Sequence, residues 1–197
     1  METLRARRAV PADTAEVTRL REVMFADMGE GGDDRWWSAC EADLRAAFAG
    51  DWTAAFVLDA PDGAGLACAV VGTLDRRLPG PGRLGQNIVV GHVSSMATDP
   101  RWRRRGMARV ALQSLLEWFA ARGAVQVGLT ATADGEALYR SLGFTEPANR
   151  ALRLSLSAET QFAPSAPPDA SGSAVAGLAG SSSPGVGGEL AAGDAQP

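Results

Sequence analysis

The segment RWRRRGMAR, residues 101–109, sets five arginines around one glycine. Charge at that density can grip nucleic acid, brace a helix end, or hold the phosphates of a nucleotide-like ligand. Gly106 falls where a strand ending near Thr98 gives way to a helix. A helix N-terminus leaves backbone N–H groups unpaired, and glycine lets such a backbone approach a diphosphate closely. A diphosphate there would meet amide donors first and guanidinium charge second. Arg103, Arg104 and Arg105 point in different directions around a turn, so one or two of them are bystanders. The plain alternative is a solvated basic face.

Other reactive groups are few. His92 is the sole histidine and Tyr139 the sole tyrosine, and there is no lysine to be acylated or to form a Schiff base. Cys40 and Cys68 sit in apolar patterns without CxxC spacing, which predicts buried thiols and neither a disulfide framework nor a metal site.

The chain of 197 residues carries a net charge of −4, with a pI near 5.1. After Leu156 the composition turns to Ala, Gly, Ser and Pro, with the acids Glu159, Asp169, Glu189 and Asp194 and no base. Such a stretch cannot bury enough apolar surface to offset its ordering entropy, so residues 157–197 are expected to be a disordered acidic tail. Residues 1–156, the expected folded domain, then hold as many arginines as acids. That balance argues against a nucleic-acid binder. The opening METLRARRAVPADT lacks the apolar run of a secretory signal, and no run is long enough to span a membrane, so a cytoplasmic protein is expected.

The elements that would position these groups are legible. LRARRAV (4–10) reads as an edge strand. Asp13, with Glu16 three residues on, reads as a helix start, and Val17, Leu20, Met24 and Met28 keep helical spacing. Trp37, Cys40, Leu44 and Phe48 repeat that spacing. TAAFVLDA and GLACAVVGTL flank Pro61-Asp62-Gly63 as a hairpin. LPGPGRLG (78–85) cannot be regular structure, and NIVVGHVSSMAT (87–98) is a strand interrupted by Gly91. Met107, Val110, Ala111, Leu115, Trp118 and Phe119 form one helical stripe stopped by Gly123. VQVGLT (125–130) is a strand, GEALYRSLGF a short helix, and ALRLSL (151–156) a closing strand. The fold class is α/β, a mixed central sheet in the order β-α-α-β-β-β-α-β-α-β with helices on both faces.

TDPRWRRRGMARVALQSLLEW resembles the signature segment of the GCN5-related N-acetyltransferases (GNAT), whose pattern is Arg or Gln, two residues, Gly, one residue, Gly or Ala. Here it is Arg103-Arg104-Arg105-Gly106-Met107-Ala108. ALYRSLGF (137–144) is similar to the family's later signature of aliphatic, Tyr, two residues, Leu-Gly-Phe. The specific part of the resemblance covers Val93 to Phe144.

The resemblance implies an acetyltransferase that moves an acetyl group from acetyl-CoA to a primary amine on a small molecule or peptide. Direct attack would form a tetrahedral intermediate. Backbone amides of Arg103, Arg104, Arg105, Gly106, Met107 and Ala108 would hold the pyrophosphate, with the Arg104 and Arg105 charges as partners. Met96, Ala97 and Thr98 would pair with the pantetheine arm, which requires strands 87–98 and 125–130 to splay, and Gly91 would mark the bulge such families place here. Tyr139 falls at the family's general-acid position. A phenol, with a pKa of about 10, stays protonated at neutral pH and can return a proton to a leaving thiolate. The general base is open: His92, Glu30, Asp33, Asp34 or a water relay. If alternation holds, His92 shares a face with Ser94 and Met96. Thr132 stands where the family often has Asn, as a coenzyme A contact or a helix cap. Trp36 and Trp37 could form an acceptor wall, and RRLPGPGRLG a substrate loop. No metal is implied, and a homodimer is compatible with the pattern. A non-catalytic acyl-CoA-binding module is the alternative.

Overall fold

The computed structural model describes residues 4–30, 34–79 and 88–154, with the backbone alone at Asp34. The expected acidic tail, Asp33 and most of the 78–85 stretch lie outside the described residues. The chain divides into two units, Met1–Glu146 and Pro147–Pro197.

In the first unit the elements run β1 (Arg7–Arg8), α1 (Thr14–Asp27), α2 (Trp37–Phe48), β2 (Thr53–Asp59), β3 (Leu66–Arg77), β4 (Ile88–Thr98), α3 (Met107–Ala121), β5 (Ala124–Gly128) and α4 (Ala133–Ser141). The five strands form one sheet in the order β1-β2-β3-β4-β5. β1 to β4 pair antiparallel and β5 joins β4 in parallel. The mixed α/β architecture matches the expectation, with one correction. Residues 151–154 of the expected closing strand carry no strand structure, and 155–156 lie outside the described residues. Alternating leucines fit a sheet face, but a strand exists through its ladder, and the described sheet ends at β5.

The start of α1 also differs from expectation. Asp13 precedes the helix but does not cap it. Its carboxylate turns back to the Val10 N–H at 2.8 Å and to Arg7. Glu16 instead reaches across the fold to the Leu66 N–H at 2.9 Å.

Two cores lie on opposite faces of the sheet. α3 covers one face with Met107, Ala111, Leu112, Leu115, Trp118 and Phe119 packed on Ala54, Leu58, Cys68, Val70 and Val93. α1 and α2 cover the other with Val17, Leu20 and Leu44 on Ala55, Val57, Ala69 and Val71. Each large side chain withdrawn from water contributes about 2 kcal/mol, so the α3 stripe fixes that helix firmly over β3 and β4. Gly72 and Gly91 make the close approach possible. A Cβ on Gly91 would sit 2.9 Å from the Phe119 ring, and one on Gly72 2.6 Å from Phe119 Cζ.

Gly91 is therefore a packing glycine. It pairs in register with Leu74 and Val127, and no bulge occurs there. Gly91→Ala is expected to destabilise the fold by about 1–3 kcal/mol through overpacking. Urea unfolding checks this, and Phe119→Leu in the same chain should recover part of the loss.

Candidate active site

The β4 bulge lies at Ser94. Val71 opposes Ser95 and Gly72 opposes Val93, which leaves Ser94 as the extra residue. Its Oγ donates to the Val71 carbonyl at 3.1 Å. An extra residue inverts the alternation of faces beyond it. His92, opposite Thr73, therefore lies on the α1 face, whereas Met96, opposite Val70, lies on the α3 face. This overturns the expectation that His92 and Met96 share a face. Simple alternation fails because the bulge falls between them.

β4 and β5 part company just past His92. Their ladder ends at the pair His92–Gly128, yet β4 continues to Thr98. Beyond that pair the outer edge of β4 has no strand partner among the described residues, which leaves a wedge in the ladder with exposed His92 at its apex. The register fixes which backbone groups face the wedge. The Asp99 N–H donates to the Ala67 carbonyl at 2.9 Å, making these two a hydrogen-bonded antiparallel pair. Such pairs recur every second residue, so Ala97 bonds to Ala69, while Met96 and Thr98 turn their N–H and C=O away from β3. Two strand residues thus turn backbone edges away from β3, the Thr98 carbonyl accepting one bond from Arg103 at 3.1 Å, and Ala97 between them does not.

Beyond β4, Asp99 leads into the short turn Pro100–Trp102 and then the arginine loop. Arg104 has φ 62° and Gly106 φ 81°, both left-handed. Gly106 precedes α3 and has no side chain to cap it. Among the described residues, no hydrogen bond engages the backbone N–H groups of Arg104 through Arg109. Alternating left-handed residues before a helix N-terminus gather N–H donors into a concavity that suits an anion.

The arginines separate by role. The Arg103 guanidinium donates to the Thr98 carbonyl at 3.1 Å and pairs with Asp27, the last residue of α1, at 2.6 Å. Arg105 lies over the Trp102 ring at 4.7 Å. Arg101 pairs with Asp99 and Asp62. The Arg104 side chain is exposed, with no partner among the described residues. Met107 points into the core, leaving only its backbone for a ligand, and Ala108 is half-buried.

Tyr139 sits on α4, half-buried against the same apolar cluster that takes up Met96, Trp102, Ala108 and Leu129. Its ring meets Phe144 edge-on, with centroids 5.9 Å apart. Gly135, one turn earlier, makes room for it: a Cβ there would lie 2.9 Å from Tyr139 Cε2. Burial pushes the phenol above its ordinary range, so it is protonated at neutral pH. Its hydroxyl has no hydrogen bond among the described residues. Thr132 caps α4 by accepting the Gly135 N–H at 3.3 Å, and Arg109 on α3 donates to Ser141 on α4. The second contact ties α4, and with it Tyr139, to the first turn of α3.

Of the remaining candidates, Glu30 is exposed, and Trp36 packs edge-on against Phe25 with centroids 5.6 Å apart. Trp37 is half-buried. Cys68 is buried, and burial pushes its thiol up to about 11. Among the described residues no cluster suited to a metal ion occurs, and no helix is long and apolar enough to cross a membrane.

One buried carboxylate escaped the sequence reading. Asp99 is 4% exposed. Hydrogen bonds from the Arg101 side chain, opposed by burial and helped by the Arg101 N–H and by Arg19, hold its pKa down to about 2. A carboxyl with an ordinary pKa near 3.9 and a lower folded value contributes stability fully present above pH ~4, lost as pH falls towards ~2. Asp99→Asn is expected to remove about 2 kcal/mol of that acid dependence, flattening the unfolding curve between about pH 4 and pH 2. Thermal scans across that range check it.

The family model for the acetyltransferase (GNAT) family matches residues 19–144. No curated protein is close enough in sequence to match. Solved structures share the fold at low identity. A predicted acetyltransferase from Clostridium acetobutylicum, solved with acetyl-CoA, is 17% identical, with 78% of this chain and 96% of that one covered at a TM-score of 0.67. A GCN5-related N-acetyltransferase from Ralstonia eutropha is 22% identical, covering 77% and 99% at 0.62. Glucosamine-6-phosphate N-acetyltransferase from Arabidopsis thaliana is 16% identical, covering 80% and 100% at 0.57. With its split parallel pair, its bulged β4 and the glycine-led α3 inside the matched span, the chain belongs to the GNAT acetyltransferase family.

Proposed function

We propose that this protein transfers an acetyl group from acetyl-CoA to a primary amine carried by a small molecule or a peptide. The observation that carries the reading is the run of unpaired N–H groups from Arg104 to Arg109, beside a wedge that exposes the backbone edges of Met96 and Thr98. The diphosphate lies on the donors of Arg104–Ala108, with Arg103 entering the loop before them, the Arg104 charge nearest to the ligand and Arg105 held by Trp102. The pantetheine arm pairs with Met96 and Thr98 as an added strand. A carbonyl oxygen has two lone pairs, so the Thr98 carbonyl can keep Arg103 and still accept a ligand N–H. Ala97 supports this strand through its bonds to β3. Thr132 keeps its hydroxyl proton for a coenzyme A contact while it caps α4.

The wedge then sets the chemistry. A neutral amine attacks the thioester carbonyl, and a backbone N–H of the β4 edge stabilises the oxyanion of the tetrahedral intermediate. Collapse expels the coenzyme A thiolate, and Tyr139 returns a proton to its sulfur. His92, at the apex of the wedge, accepts the proton lost by the amine, directly or through water.

Thiol release from acetyl-CoA over a panel of amines tests the reading. Turnover with at least one amine is the expected result. Coenzyme A binding without turnover of any amine would instead favour a non-catalytic acyl-CoA module, and no coenzyme A binding at all would remove the whole reading.

A further inference from the structure

The loop that gathers the N–H donors has no side-chain cap at Gly106. Something else must hold it in register with the wedge. Its root is Asp99, and every polar group of that residue is engaged. Its N–H donates to Ala67 and its carbonyl accepts the Trp102 N–H at 2.8 Å. Its carboxylate accepts the Arg101 N–H at 3.0 Å, Arg101 Nε at 3.1 Å and Arg19 Nη1 at 3.0 Å.

Arg19 reaches Asp99 from α1, 80 residues away in sequence. It is itself fixed: Nη2 donates to the Leu66 carbonyl at 2.9 Å and Nε to Glu16 at 3.0 Å. Glu16 in turn accepts the Leu66 N–H. One guanidinium therefore joins the middle of α1, the start of β3 and the end of β4. From the far side, Arg101 Nη1 donates to Asp62 in the β2–β3 turn at 3.1 Å. Trp102, packed on the α3 cluster, carries the constraint on to Arg105.

We infer that Arg19 and Asp99 are positioning residues: the pair braces the root of the 103–108 loop so that its N–H donors face the wedge before any ligand arrives. The inference rests on the reading of that loop as a diphosphate cradle. Charge-assisted bonds at a 94%-buried carboxylate suit this task, because they hold one geometry and lose most when bent. Preorganised donors bind without a further ordering cost, so loosening the root weakens diphosphate binding in a chain that still folds.

Calorimetric titration of coenzyme A at 25 °C, into full-length protein and variants shown folded by circular dichroism, tests this. Arg19→Gln and Asp99→Asn should each weaken binding about tenfold, the loss of one charged hydrogen bond. Arg19→Lys, which keeps a cation opposite Asp99, should recover part of that loss. Asp13→Asn breaks an ion pair beside the start of the same helix and should leave affinity within about twofold. If Asp99→Asn does not fold, the Arg19 pair of variants decides. Affinity unchanged in Arg19→Gln, or lost equally in Asp13→Asn, would overturn the brace while leaving the cradle standing. A wild-type protein that does not bind coenzyme A would overturn the cradle itself, and the brace with it.

Discussion

Tyr139→Phe is expected to lower turnover of acetyl-CoA with an accepted amine by roughly 100-fold or more, the usual worth of a positioned general acid. Coenzyme A affinity and thermal stability should change little. The ring is held by Phe144, by the apolar cluster and by the room Gly135 leaves, all of which phenylalanine keeps. The hydroxyl has no hydrogen bond within the described protein, so its removal orphans nothing. Its raised pKa bears on the pH profile. A group that must be protonated to act, and titrates above its ordinary value near 10, should produce no falling limb below that value in the wild type. Thiol release measured by a chromogenic trap gives the rate, and calorimetry gives the affinity. Equal rates in the two proteins would take Tyr139 out of the mechanism.

Gly106→Val is expected to cut coenzyme A affinity about 100-fold, a larger loss than that from any single arginine of the loop. At φ 81° a β-branched residue is strained, and left-handed backbone costs about 1–2 kcal/mol even for an ordinary L residue. Space is not the obstacle, since a Cβ at this position would find only Leu4 Cδ1, 3.9 Å away. The chain can relieve the strain by rotating the peptide, which turns the first N–H groups of α3 away from the concavity. Gly106→Asn separates strain from bulk, because asparagine tolerates the left-handed region. It should retain most of the affinity. Two variants with equal affinity would show that the backbone at Gly106 does not set the donor directions. Arg104→Ala, by contrast, removes one solvent-screened charge and should cost only a few-fold, in a salt-dependent way.

The amino-acid pattern by itself determined the α/β class, the two signatures, and the placing of Gly106 before α3 and Tyr139 on α4. Those features are local. A 3.6-residue apolar stripe makes α3, and a left-handed turn before it demands Gly106 at that one position. Three decisions needed the folded chain. The bulge fell at Ser94 and not Gly91, because the glycine there answers to the Phe119 ring, a partner 28 residues away in sequence that local pattern does not reveal. That displacement moved His92 and Met96 to opposite faces. The arginines sorted themselves only against distant acids: Arg103 took Asp27 and Arg101 took Asp62, which left Arg104 exposed. Nothing in the local sequence sets Asp99 apart; only the fold brings Arg19, on α1, to its carboxylate. Charge pairing between elements depends on where their backbones are set, and packing of the two cores over a twisted sheet, not the order of residues along the chain, sets them.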